Sequence, residues 1–181
     1  MKNSALKKAE KDLGQEQLRQ LDIICPAVAC VWWEHYGWKE TRIMRRLVTF
    51  QEIWDECAAD NDISILQMLE KETGIEMMNS VDGKSYHDLA YFDTSVDLKQ
   101  LTLPMMVYMR QQQKKWVGPA IMAGICLSLH RDEKWGAQRI LEFIEHVHTL
   151  IQETGQDTKR YETMLTEVTG IKMNRLWKEP A

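Results

Sequence analysis

The sequence lacks any apolar run approaching the roughly 18 residues that a membrane-spanning helix needs. Its N-terminal segment is polar and charged, without the apolar stretch of a secretory signal. The four cysteines show no C-x2-C spacing of the kind typical of zinc sites. We therefore predict a cytoplasmic protein with no membrane partner, no metal and no cofactor. Its cysteines are expected to be reduced and buried; they are Cys25, Cys30, Cys57 and Cys126.

The chain also lacks an excess of positive charge. Lys and Arg total 23 against 27 Asp and Glu, which gives a formal charge of -4. This balance excludes a globally basic surface for nucleic acid, although it leaves local basic patches open. With 181 residues, 44% of them apolar, and seven Trp, the chain is long enough to bury a substantial core, as one domain or two small ones.

What the sequence does contain is an internal repetition. A set of residues recurs 96 or 97 positions later, and the offset changes once, in a segment rich in Ala, Asp and Asn. The recurring pairs are Trp38/Trp135, Arg42/Arg139, Ile43/Ile140, Glu56/Glu153, Met68/Met164, Leu69/Leu165, Thr73/Thr169, Gly74/Gly170, Ile75/Ile171 and Met77/Met173. The repetition predicts two copies of one helix-turn-helix-loop-helix unit.

Apolar residues recur at helical spacing along nearly the whole chain, and strand signals are weak. Gly74, Gly155 and Gly170 follow such stretches and are predicted helix stops. Pro26 is expected to kink or start a helix, because proline lacks the amide that the preceding turn would use. The matching inward positions of the two copies are Ile43, Leu47, Phe50, Trp54 and Cys57, then Ile140, Ile144, Val147, Ile151 and Thr154.

These signals predict an all-α protein of seven or eight helices. Gly14 would interrupt the first helix, and Gly118-Pro119 would begin a new one in the second copy. The predicted divisions are an N-terminal helical arm (1–22), a first helical repeat (23–78), a connector (79–103), and a second repeat with its preceding helix and C-terminal tail (104–181).

Trp38 and Trp135 stand at the tight turns of the two copies, where a large ring fills the wedge between helices, so we interpret both as packing residues. Arg42 and Arg139 lie one turn into the following helices. A cation there opposes the helix dipole at a cost of about 0.3 to 1 kcal/mol, which some partner must offset. Two explanations stay open: an ion pair within the fold, for example to Glu34 or Glu72, or a site for phosphate or for acidic groups of a partner.

Basic residues cluster around these turns. Lys39, Arg42 and Arg46 are spaced by three and four residues and share one helix face, with Arg45 alongside. The second copy offers Arg131, Lys134 and Arg139, but Glu142 and Phe143 stand where Arg45 and Arg46 stood. We take these seven basic residues as candidate partner- or nucleic-acid-binding residues. A solvated charged face is the alternative explanation.

Catalytic patterns are weak. Asp82-Gly83-Lys84-Ser85 ends like a phosphate-binding loop, but the first glycine of that motif is missing, so a turn is predicted. The histidines have no cysteine, serine or carboxylate at a spacing that implies activation. His146 shares a helix face with Glu142, which makes only two ligands. We predict that the protein is not an enzyme.

One longer pattern resembles a known group of proteins. Trp32-Trp33-Glu34-His35-Tyr36-Gly37-Trp38 is followed by Arg42-Ile43 and Glu72-Thr73-Gly74-Ile75, and is echoed by His130, Trp135, Arg139-Ile140 and Thr169-Gly170-Ile171. It is similar to small helical proteins encoded by prophages and mobile elements of Firmicutes, over residues 29–77 and 126–173. Some small acidic proteins from that source are type II-A anti-CRISPR inhibitors, which bind and block the RNA-guided DNA endonuclease. The resemblance transfers no functional residue.

Two functions are therefore expected as alternatives. The first is an interaction protein, monomeric or homodimeric, that inhibits a host defence nuclease by direct contact, most specifically a CRISPR nuclease with its guide RNA. The second is a phage DNA-binding regulator that uses Lys39, Arg42, Arg45 and Arg46 in a helix-turn-helix-like face.

Overall fold

The computed structural model describes residues 2–58, 62–79, 81–89 and 100–176. This part of the chain forms no strand, only an isolated bridge between Met78 and Ser85. The all-α prediction is confirmed. The helices are α1 (Lys2–Tyr36), α2 (Glu40–Ala58), α3 (Asp62–Thr73), α4 (Leu103–Glu133), α5 (Ala137–Thr154) and α6 (Thr158–Thr169), with short 3-10 helices at Tyr86–Asp88 and Met173–Arg175.

The described residues thus contain six α-helices, where the sequence predicted seven or eight. Gly14 and Pro26 lie inside α1, and Pro119 lies inside α4, so none of them ends or begins a helix. A glycine lacks a Cβ but still forms its backbone hydrogen bond in the helix. A proline removes one backbone hydrogen bond, which is a small part of the total in helices of 35 and 31 residues. Helix α1 also continues through the boundary predicted after residue 22.

Asn79 supplies the hydrogen bond that Pro119 is unable to make. Because proline has no N–H, the carbonyl of Lys115, four residues earlier, lacks its helical partner. The Asn79 side chain is 2% exposed, and its Nδ2 donates to that carbonyl at 3.0 Å. Its Oδ1 accepts from the Val81 amide at 2.9 Å. Asn79 therefore ties the segment after α3 to the middle of α4.

We expect Asn79→Ala to lower the free energy of unfolding by about 1 to 3 kcal/mol, because the Lys115 carbonyl then has no donor. Urea unfolding followed by circular dichroism measures this loss. The exposed Asn174→Ala serves as the control and should change stability by less than about 0.5 kcal/mol. Equal, small effects for both variants would contradict the role given to Asn79.

The two long helices lie side by side and run in the same direction. Near their N-terminal ends Glu10 pairs with Arg110 at 4.0 Å. Just beyond their C-terminal ends the rings of Trp38 and Trp135 are in contact. The turns that follow α1 and α4 are consequently neighbours at one end of the molecule.

The shorter helices cross over between the two parts of the chain. Helices α2 and α3 pack mainly on α4, whereas α5 and α6 pack mainly on α1. Each long helix is therefore covered chiefly by helices from the other part of the sequence, and the core is shared. The largest fully buried side chains include Trp32, Phe50, Trp116, Phe143 and Tyr161.

All four cysteines are buried and none forms a disulfide, as predicted. Burial raises the pKa of the Cys30 thiol to about 12, so this group stays protonated at neutral pH. Within the described ranges, no helix is both long enough and apolar enough to cross a membrane.

Candidate functional site

The site begins with two tight turns, one joining α1 to α2 and the other joining α4 to α5. Gly37 and Lys134 adopt left-handed conformations, with φ of +65° and +56°. This geometry lets the amides of Trp38 and Trp135 reach back to carbonyls six residues earlier, at 3.0 and 3.3 Å, which closes each helix. Both tryptophans are thereby turned into the space between the helices.

The two turns meet through their aromatic rings. Trp38 and Trp135 are each 3% exposed, and their ring centroids lie 5.7 Å apart. Tyr36 packs on Trp135 at 4.8 Å, and Phe143 contacts the same ring edge-on at 5.9 Å. The interpretation of both tryptophans as packing residues is confirmed. We call the surface formed by residues 36–45 and 133–142 the turn face.

The guanidinium groups of two arginines lie over these rings. The guanidinium carbon of Arg42 is 4.3 Å from the Trp38 ring centroid, and that of Arg139 is 4.2 Å from Trp135. Each arginine lines an open depression, of about 590 Å³ around Arg42 and about 430 Å³ around Arg139. The first is lined by Gly37, Trp38, Lys39, Thr41, Arg42, Arg45 and Glu133, and the second by Tyr36, Gly136, Gln138, Arg139 and Glu142.

Acidic residues at the end of α4 neutralise two of the predicted binding residues. Arg46 is 5% exposed and donates to Asp132 and, at 3.0 Å, to Glu133. Arg42 also donates to Glu133, and this bond is the largest cause of the lowered pKa of that carboxyl. The ion pair within the fold that was one explanation for Arg42 is thus formed, but with Glu133 and not with Glu34 or Glu72.

Two more of the predicted residues are engaged at the end of α4. Arg131 Nε donates to Glu72 at 3.1 Å, and the bonds from this arginine lower the pKa of the Glu72 carboxyl. Lys134 Nζ donates to the Arg131 carbonyl at 2.6 Å, so it caps its own helix.

The remaining three residues are exposed. Lys39 Nζ lies 4.2 Å from the centroid of the Trp33 ring. The guanidinium groups of Arg45 and Arg139 have no hydrogen bond or ion pair among the residues that the structure describes. All seven predicted residues lie in or beside the two turns, and four of them, Lys39, Arg45, Lys134 and Arg139, are exposed and form no ion pair with an acid among the described residues.

The sequence did not predict the acidic residues Asp132 and Glu133, which pair with the basic residues of α2 from the other part of the chain. The offset of 97 relates Arg46 to Phe143 and Glu133 to Tyr36. In one corner the pair is ionic, and in the other it is an edge-on contact of rings 6.3 Å apart. In the sequence, both residues of the pair differ between the two parts of the chain, which was the available signal. Only the contacts in the structure show that the two residues are partners.

Other titratable groups serve the fold. His130 is half-buried near the C-terminal end of α4, and its Nδ1 donates to the Trp135 carbonyl at 2.9 Å. His35 and His146 stack at the edge of the turn face, with ring centroids 4.0 Å apart. Among the described residues, no group of three or more His, Cys, Asp or Glu side chains is placed to hold a metal ion.

The chemistry that the turn face offers is binding. It presents guanidinium groups held on buried rings beside two open depressions, and arginine and tryptophan are frequent at the energetic centre of protein interfaces. Comparison of this chain with protein-family models, with curated proteins and with solved structures gives no significant match.

Proposed function

We propose that this chain is a non-enzymatic helical binding protein, built from two related halves, whose turn face docks on a larger protein. The observation that carries the proposal is the pair of arginines stacked on buried tryptophans, one beside each depression. A stacked guanidinium is already ordered, so it loses less conformational entropy when a partner binds.

The relation between the halves is supported by matched contacts. Thr73 Oγ1 donates to the Leu69 carbonyl at 2.7 Å, and Thr169 Oγ1 donates to Leu165 at the same distance. Both threonine hydroxyls also accept from the amide two residues later. If the halves are related, α1–α3 should superpose on α4–α6 in the same order.

A protein partner is favoured over DNA by the charges around the turns. Arg42, Arg46 and Arg131 are held by carboxylates within the fold. Their N–H groups are therefore not available to neutralise a run of phosphates, which is the main source of affinity for duplex DNA. Of the four residues in the basic face, only Lys39 and Arg45 are left to bind DNA phosphates.

For the partner, the sequence resemblance points to the type II CRISPR nuclease with its guide RNA. The inhibitor would act by occupying a surface of the nuclease. A net charge of -4 would favour approach to a basic protein channel.

The test is co-elution of the purified chain with the nuclease–guide RNA complex, together with cleavage of target DNA. We expect co-elution and reduced cleavage for the unmodified chain. The variant Lys39→Glu/Arg45→Glu changes two exposed cations of the turn face and should weaken binding at least tenfold. The matched control is Lys8→Glu/Lys159→Glu, which has the same change of charge outside the turn face.

Three results would overturn parts of the proposal. Absence of both co-elution and inhibition would remove this nuclease as the partner. Equal loss in the two double variants would remove the turn face as the contact. A shift of duplex DNA that weakens steeply with salt and in Lys39→Glu/Arg45→Glu would favour the DNA-binding regulator instead.

A further inference from the structure

The two depressions of the turn face differ in whether their arginine forms an ion pair. In the first, Arg42 lies over Trp38 and both Nε and a terminal amino group donate to Glu133. The Arg42 side chain is half exposed, whereas that of Glu133 is only 15% exposed. An arginine stacked on this tryptophan thus takes a carboxylate as its ligand.

In the second depression no carboxylate of the described residues pairs with the arginine. Tyr36 occupies the position that corresponds to Glu133, and Arg139 lies over both the Tyr36 ring, at 5.6 Å, and the Trp135 ring. The one acid that lines this depression is Glu142, which accepts from Gln138 Nε2 at 3.4 Å and forms no ion pair with Arg139 in the described part of the chain.

We infer that the depression around Arg139 binds a carboxylate side chain of the partner protein, in the way that Arg42 holds Glu133. This inference rests on the proposed docking function and names the chemistry of one contact. The Arg139 guanidinium carbon lies 4.2 Å from the centroid of the buried Trp135 ring, and the residue is exposed to solvent. The N–H groups of a guanidinium form a planar fork that can donate two parallel hydrogen bonds to one carboxylate.

The probe is an acetylated tetraglutamate amide, titrated into the 15N-labelled chain while the arginine Nε–Hε signals are followed by NMR. We expect the Arg139 signal to move saturably in the millimolar range, as suits one contact taken out of a larger interface. The Arg42 signal, already bonded to Glu133, should move at least tenfold less. The tetraglutamine peptide and inorganic phosphate at equal ionic strength should give no saturation.

Two variants test whether the peptide binds at Arg139 or is attracted to exposed cations in general. Arg139→Gln should abolish the saturable response, and Arg160→Gln, an exposed arginine outside the turn face, should leave it unchanged. Equal shifts at all exposed arginines, or tighter binding of phosphate than of the peptide, would overturn the inference. So would a saturable response that persists in Arg139→Gln.

The outcomes are distinguishable from those of the docking proposal. If the chain captures its partner and Arg139→Gln binds that partner as tightly as the unmodified chain, the carboxylate site is wrong and docking stands. If the peptide saturates Arg139 and the nuclease complex is not captured, the site stands and the partner is wrong.

Discussion

Trp135→Ala should lower the free energy of unfolding by about 3 to 5 kcal/mol, the range for removing a large buried ring. The ring is 3% exposed and contacts Tyr36 at the end of α1, Trp38 in the turn that follows it, and Phe143 of α5. Its loss would empty the point at which the two turns meet. It would also leave Arg139 without the ring that orders it. Urea unfolding followed by circular dichroism measures the change.

Two further variants test whether the position of Trp135 causes the effect. Trp135→Phe keeps an aromatic ring between the turns and should lose clearly less stability than the alanine variant. Trp33→Ala removes a half-buried ring that Lys39 covers from outside, and should also cost less. A loss below about 1 kcal/mol for Trp135→Ala would show that the junction collapses onto the cavity or contributes little.

Arg46→Phe should lower the free energy of unfolding by about 3 kcal/mol, near the lower end of the range for breaking a buried ion pair. We expect a loss near the lower end because Glu133 still forms its ion pair with Arg42 and the Asp132 side chain, 43% exposed, stays in contact with water. The Arg46 side chain itself is 6% exposed, so its charge has little contact with water. Arg45→Gln, on the exposed side of the same helix, should change stability by less than about 0.5 kcal/mol.

The other half of the chain supplies the variant that should restore stability. By the 97-residue offset in the sequence, Phe143 and Tyr36 stand at the positions of Arg46 and Glu133, so Arg46→Phe/Glu133→Tyr replaces the ionic pair by this aromatic one. We expect the double variant to recover most of the loss, since replacing both partners of a buried ion pair by apolar groups is often neutral. A double variant no more stable than Arg46→Phe would contradict the equivalence of the two corners.

Helix type and three of the glycine helix stops were well predicted because their causes are local. Gly74, Gly155 and Gly170 each have positive φ directly after a helix, as their places behind periodic apolar stretches indicated. The side chain of Asp157 accepts from the Lys159 amide and so caps the start of α6, which is also a local effect. The inward positions Ile43, Leu47 and Phe50 are buried for the same reason: their spacing places them on one helix face.

The interior prolines and the charges were less predictable. Gly118-Pro119 was expected to begin a helix, but Pro119 lies inside α4, and Asn79, forty residues earlier in the chain, donates to the Lys115 carbonyl that Pro119 leaves without a partner. The basic face on α2 suggested a surface for phosphate, but Arg46 is buried against α4. Neither partner lies within a helical turn of the residue it completes, so no local pattern contains it.

The amino-acid sequence by itself determined an all-helical chain, the stops of its helices, and the two tryptophan turns with an arginine beside each. The tertiary structure decided which helices share a core, which arginines are neutralised, and that Arg139 is exposed with no ion pair in the described part of the chain. The reason is the distance along the chain over which each property is set. Helix formation depends on spacings of three and four residues, whereas the state of a charged side chain depends on groups that the fold brings within about 4 Å from distant parts of the chain.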